Sequence, residues 1–248
     1  MKKQALITGA TSGIGRATAL RLSREGYDII ATGRRRERLE ELKSEIESAG
    51  GHCTALCFDV RDAKAVEEHL SQIDRVDLLV NNAGLAAGFE HIDQGAFGDW
   101  DAMIDTNVKG LLYVTRTISR KMLAQGAGHI INIGSIAGTE PYENGAVYCA
   151  SKHAVHAISQ SIRADLLHAG IKVTEIRPGM VETEFSNVRF HGDQQRADKV
   201  YEGVTPLRAE DIAEAIAWCA QLPAHVNVND MLIMPQQQAG SYYTHRRQ

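Results

Sequence analysis

The chain has 248 residues, 44% of them hydrophobic, a formal net charge of −4 and a pI near 6.2. That length carries one sizeable α/β domain with a buried core. The mild acidity excludes the basic field that nucleic acid or an anionic membrane demands, and no apolar window approaches spanning length. A small-molecule ligand is therefore the default expectation.

The opening Met1-Lys2-Lys3 looks like a signal n-region, but Ala5-Leu6-Ile7 meets Gly9 too soon for an apolar core, so a cytoplasmic protein is expected. Short apolar runs follow at Ala5–Thr8, Ile29–Thr32, Thr54–Phe58, Leu78–Asn81, Ile130–Ile133, Val173–Ile176 and Leu232–Met234. Longer amphipathic segments separate them, such as Arg35–Glu47 with Leu39, Leu42 and Ile46 on one stripe. Strands that are apolar throughout predict a sheet covered on both faces, hence a Rossmann-like, doubly wound parallel sheet of about seven strands with helices on both sides. No repeat or linker interrupts it, which predicts a single domain over residues 1–248. Its ligand belongs beyond the carboxyl ends of the strands.

The first strand runs into Gly9-Ala10-Thr11-Ser12-Gly13-Ile14-Gly15 and then a helical pattern. Amides at such a helix start hold a pyrophosphate, and the glycines permit its close approach. After the second strand, where an acidic residue accepts from the ribose 2′-hydroxyl of NAD, this chain has Gly33 and then Arg34, Arg35 and Arg36. Guanidiniums attract a 2′-phosphate, so Arg34 and Arg35 predict NADP as cofactor.

Tyr148 and Lys152 stand one helical turn apart, after Asn107 and Ser135. A phenol beside an ammonium is a proton-transfer set for an alcohol or carbonyl, provided the phenol is brought below its usual pKa of about 10. Lys152 on the same helix face and an oxidised nicotinamide are the positive charges expected to do that. Cys53, Cys57, Cys149 and Cys219 are too scattered for a disulfide framework or a metal site. The histidines lack metal spacing, His153 and His156 reading as packing or interface residues, so no metal is expected. Residues 185–206 are polar and without a strand pattern, and they read as an irregular substrate lid.

With the glycine turn, Asn81-Asn82-Ala83-Gly84, Asn107, Ser135, the Tyr148/Lys152 pair and Pro178-Gly179 in this order, the chain resembles the short-chain dehydrogenase/reductase family over roughly residues 4 to 235. The runs around Gly33-Arg34-Arg35, Glu184–Phe190 and Leu222–Asn227 look like its NADP-dependent serine and L-allo-threonine (3-hydroxy acid) dehydrogenase branch. The resemblance implies Tyr148 as acid/base, Ser135 on the substrate oxygen, and Asn107 in a helix distortion that holds a water linking Lys152 to solvent. It implies that Asp59 and Val60 frame the adenine and that Asn82, Ala83 and Gly84 line the ribose side. Pro178, Gly179, Val181 and Thr183 would hold the nicotinamide. Ser12 departs from the many NADP-using relatives with a basic residue there, which leaves 2′-phosphate recognition to Arg34 and Arg35. A small hydroxy acid is the expected substrate, with Arg189 of the lid on its carboxylate. Val108–Met122 and Tyr148–Leu167 have broad apolar faces, and because members of the family pair these helices across a four-helix interface the resemblance implies a homotetramer, with a dimer as the alternative. A reductase for another carbonyl, such as a 3-oxoacyl thioester or a sugar, and a non-catalytic NADP-binding sensor are the competing readings.

Overall fold

Strand after strand alternates between two cores, which is why the runs read as continuously apolar. The computed structural model describes residues 2–247, so Met1 of the opening segment and Gln248 lie outside it. In β1 (Gln4–Ile7), Ala5 and Ile7 enter one core and Leu6 the other. Ile29 and Ala31 against Ile30 repeat the pattern in β2 (Asp28–Gly33), as do Leu78 and Val80 against Leu79 in β4 (Leu78–Asn81). With β3 (Cys53–Cys57), β5 (Gly128–Ile133), β6 (Ile171–Pro178) and β9 (Asp230–Ile233) they form one seven-stranded sheet in the order β3-β2-β1-β4-β5-β6-β9. Every pairing within it is parallel.

One face is covered by α1 (Gly13–Arg24), α2 (Arg36–Ser48) and α9 (Ala209–Gln221), which contribute Leu22, Leu39, Leu42, Ile46, Ile212 and Ile216. The stripe Leu39, Leu42 and Ile46 is almost completely buried, each side chain contributing roughly 2 kcal/mol by leaving water. The opposite face carries α3 (Ala63–Ser71), α5 (Leu111–Gln125) and α6 (Ala146–Leu166), with Val66, Leu70, Val114, Ile118 and Met122 in its core. Between α4 (Phe97–Ile104) and α5 the helix widens into a π-helical turn, Asp105–Gly110, which contains Asn107. Such turns recur at functional sites because the extra residue per turn redirects a side chain.

The chain order reverses at β1, whose neighbours are β2 on one side and β4 on the other. A crevice opens at that reversal, beyond the carboxyl ends of the strands. Asn82 spans it, its Nδ2 donating to the carbonyls of Thr8 at 2.9 Å and Gly9 at 3.2 Å.

Residues 185–206 are not the irregular loop expected. After the short strand β7 (Val181–Glu182) the segment forms α7 (Phe185–Arg189) and α8 (Gln194–Lys199) before β8 (Leu207–Arg208) pairs back onto β7. Helices of one or two turns are too short to display a 3.6-residue period, so polar composition concealed them. Among the described residues no helix is long and apolar enough to cross a membrane.

Candidate active site

A cleft of about 360 Å³ lies along the carboxyl edge of the sheet. It is lined by Gly9, Thr11, Ser12, Gly13 and Ile14 of the glycine turn, by Arg34 and Arg35, and by Asp59 and Val60. Asn82, Ala83 and Gly84 form its middle, and Ser135, Tyr148 and Lys152 stand with Pro178, Gly179, Val181 and Thr183 farther along. Sequence motifs scattered over most of the chain thus meet in one space.

Three predicted residues stand outside that lining. Gly15 faces the protein: a Cβ there would lie 2.4 Å from Asn82 Nδ2 and 2.5 Å from the Gly9 carbonyl, so glycine permits α1 to pack onto the turn. Asn107 is buried behind the cleft, accepting from the Leu85 amide at 2.8 Å and donating to the Leu85 carbonyl at 2.8 Å and Ser151 Oγ at 3.0 Å. Its side chain therefore clamps the strand end to α6. Arg189 lines a neighbouring hollow with Gly88, Asp99, Trp100 and Tyr148.

Phe58, Leu85, Thr106, Ile133, Glu184, Phe185 and Val188 also line the main cleft and were not anticipated. Most are apolar neighbours of motif residues, which carry no signal of their own. Glu184 is different, because it joins Arg35 and Arg38 from the far side of the cleft.

The glycine-turn end of the cleft presents groups suited to an anion. Ser12 is the N-cap of α1 but makes no side-chain cap; its Oγ instead accepts from Arg35 Nη2 at 2.7 Å. The first amides of α1 are thereby left for an anion. Arg34 lies 3.7 Å from Asp59 Oδ2 and is more than half exposed, so water and salt weaken that pair. Thr106 Oγ1 is buried in the cleft wall with no hydrogen-bond partner among the described residues. An unpaired buried hydroxyl of this kind fits a wall completed by a polar ligand.

At the other end, the Tyr148 ring meets Phe185 edge-on at 5.6 Å and the Arg189 guanidinium at 5.7 Å. Lys152 Nζ donates to the Ile133 carbonyl at 2.9 Å and lies 5.9 Å from the centre of the Tyr148 ring. Gly84 makes room for this group: a Cβ there would lie 3.2 Å from Asn107 Oδ1 and 3.7 Å from Lys152 Nζ.

Burial dominates the electrostatics at this end of the cleft. Burial pushes the Tyr148 phenol well above its ordinary value, with Tyr142 adding to the rise, while Ser135 and Arg189 pull against it. Burial brings Lys152 itself down to about 8, opposed by the Glu175 carboxylate. For both groups removal from water is the largest influence. Cys149 next door is raised by burial, the state of an inert structural thiol. His153 Nδ1 lies 2.9 Å from the Cys149 carbonyl and His156 Nδ1 2.5 Å from Glu175 Oε2, as packing residues would.

A doubly wound parallel sheet, a glycine turn opening its first helix and a Ser-Tyr-Lys set at the strand ends define a nucleotide-dependent oxidoreductase fold and site. The chain belongs to the short chain dehydrogenase family, whose model matches residues 3–194. It is 47% identical over 239 residues to the NADP-dependent 3-hydroxy acid dehydrogenase YdfG of Escherichia coli (strain K12), covering 94% of this chain and 95% of that protein. It is 48% identical over 243 residues to sulfoacetaldehyde reductase 2 of Chromohalobacter salexigens, covering 96% of each. Among solved structures it resembles the closed form of serine dehydrogenase complexed with NADP+, with a TM-score of 0.92 and 46% identity over 98% of this chain and 99% of that one.

Proposed function

We propose that the protein is an NADP-dependent oxidoreductase that interconverts the hydroxyl and oxo forms of a small anionic substrate, a 3-hydroxy acid such as serine, L-allo-threonine, 3-hydroxypropionate or 3-hydroxybutyrate. The observation that carries the substrate class is Arg189. Its guanidinium stacks on Phe89 at 4.6 Å and Tyr142 at 5.4 Å, and its Nη2 donates to Tyr142 Oη at 3.0 Å. A cation stiffened in this way beside the reacting phenol is suited to an anion a few bonds from the carbinol. A carboxylate and a sulfonate both satisfy that requirement. The names of the 3-hydroxy acid and sulfoacetaldehyde relatives are consistent with it.

Gly9, Thr11, Ser12, Gly13 and Ile14 would hold the pyrophosphate, Arg34 and Arg35 the 2′-phosphate, and Asp59 and Val60 the adenine. Asn82, Ala83 and Gly84 would hold the ribose, with Pro178, Gly179, Val181 and Thr183 at the nicotinamide. Bound NADP supplies the hydride acceptor and a positive ring. Tyr148 removes the hydroxyl proton of the substrate in oxidation and returns it in reduction. Ser135 hydrogen-bonds the reacting oxygen and opposes the upward displacement of the phenol. Lys152, near 8, is poised to pass a proton at neutral pH, and Asn107 fixes the π-helical turn behind it. The exposed apolar side chains Leu112 and Leu123 on α5 support the homotetramer reading.

A substrate panel with NADP and NAD tests the whole proposal, comparing L-serine, L-allo-threonine, 3-hydroxybutyrate, sulfoacetaldehyde, a 3-oxoacyl thioester and neutral alcohols. Arg189→Met should weaken the anionic substrates at least tenfold and spare neutral alcohols. Tyr148→Phe should abolish turnover while NADP still binds. A protein that prefers neutral alcohols, or a Tyr148→Phe variant that still oxidises hydroxy acids, would sink the proposal.

A further inference from the structure

Glu184 makes a contact that the reaction does not use. It precedes α7, and two arginines from the opposite wall hold its carboxylate: Arg35 Nη1 donates to Oε2 at 2.9 Å, and Arg38 donates to Oε1. Arg35 is fixed from its other flank, with Nη2 at 2.9 Å from Thr11 Oγ1 and 2.7 Å from Ser12 Oγ. Its guanidinium therefore bridges the glycine turn and the root of the lid. Arg35, Arg38 and Glu184 are each 42% exposed, a setting in which water weakens an ion pair without removing it.

The neighbours of Glu184 tie it into the cleft. Thr183 packs where a Cβ on Gly13 would come within 3.3 Å of it, and Phe185 carries the ring that meets Tyr148. A carboxylate thus stands among the arginines at the end of the cleft where Arg34 also lies. An anion in that place is costly for any protein that binds a phosphate there, unless the two anions alternate.

We propose that Glu184 is a displaceable stand-in for the 2′-phosphate: it neutralises Arg35 in the free protein, is exchanged for the phosphate on binding, and thereby limits affinity for the phosphorylated nucleotide. The inference rests on the assignment of Arg35 to the 2′-phosphate. A guanidinium fork accepts either oxyanion, and a phosphate offers it more charge than a carboxylate. Arg38, about one helical turn beyond Arg35 in α2, has no bond to Thr11 or Ser12 and can retain Glu184 when Arg35 lets go. A nucleotide lacking the 2′-phosphate leaves the Arg35–Glu184 pair intact and is unaffected by it. The carboxylate also gives Arg35 an immediate partner when a phosphorylated product leaves, which favours release.

Calorimetric titration of the full chain with 2′,5′-ADP and with 5′-AMP tests this without turnover. Wild type should favour 2′,5′-ADP. Glu184→Gln, which keeps the shape and removes the charge, should bind 2′,5′-ADP about threefold to sixfold more tightly, the worth of one exposed ion pair, and 5′-AMP unchanged. Glu184→Asp, which keeps the charge, should bind 2′,5′-ADP more weakly than the Gln variant. Unchanged or weaker binding of 2′,5′-ADP by the Gln variant, or equal gains for both nucleotides, overturns the stand-in role. Equal affinity of wild type for the two nucleotides removes the phosphate assignment of Arg35, and the inference with it.

Discussion

His129, on β5, is buried, with Nε2 at 2.8 Å from Thr174 Oγ1 and Nδ1 unpartnered among the described residues. Burial, helped by the Lys172 charge, holds its pKa down to about 3 against an ordinary 6.5. The folded protein therefore keeps this ring neutral at pH values where the unfolded chain protonates it. Its contribution is intact above about pH 6.5 and is lost as the pH falls toward 3, at about 1.4 kcal/mol per unit. Urea unfolding at pH 7 and pH 5 should show wild type losing about 2 kcal/mol more than His129→Gln. Equal losses would exclude His129 as an acid-sensitive site. Nothing in the sequence marks this histidine, since its burial depends on β6 lying alongside. Tyr148 and Lys152 were legible from their spacing, yet the direction of their pKa displacements was not, because burial is set by the packing of the whole site.

At the scale of elements, the glycine turn is where sequence and packing agree most closely. Gly15→Ala would drive a methyl into Asn82 Nδ2 and the Gly9 carbonyl, and the carbonyl belongs to backbone that cannot swing aside. Overpacking of this kind costs about 1–3 kcal/mol. Thermal melts should show a lower midpoint, and NADP titration should show affinity reduced about tenfold or more, as the turn is pushed out of register. Unaltered binding with a lowered melting point would separate the packing role of Gly15 from the shape of the turn. The seven strands were readable to within about two residues because the central ones are apolar on both faces, while the edge strand β9, exposed at Asp230 and Leu232, still carries a short apolar run. The pairs Val181–Glu182 and Leu207–Arg208 were not, since two residues carry no alternation. Glu184 escaped for another reason: its partner Arg38 is 146 residues away in sequence. No local pattern encodes an ion pair closed across the cleft.

On the scale of the whole molecule, several large apolar side chains stand on the exterior. Phe97 is 76% exposed and Trp218 52%, and Leu112 and Leu123 project from α5. Separate large apolar side chains are ordinary on a surface, but Leu112 and Leu123, exposed on the same helix, suit contact with further copies. Light scattering on the purified protein should give four times the 27.2 kDa chain mass, and Leu112→Glu with Leu123→Glu should lower it. A monomeric wild type would refute the tetramer.

The parallel sheet also bears on how the cleft comes into being. The amides of Asn82 and Ala83 each donate to Thr8 Oγ1 at 3.0 Å, across sequence separations of 74 and 75 residues. No hairpin can make that junction; a long stretch of chain must wind back before β4 finds β1. Such nonlocal closure is slow compared with helix formation. Helical signal should therefore return early in refolding, and nucleotide capture only when the two halves of the sheet have met.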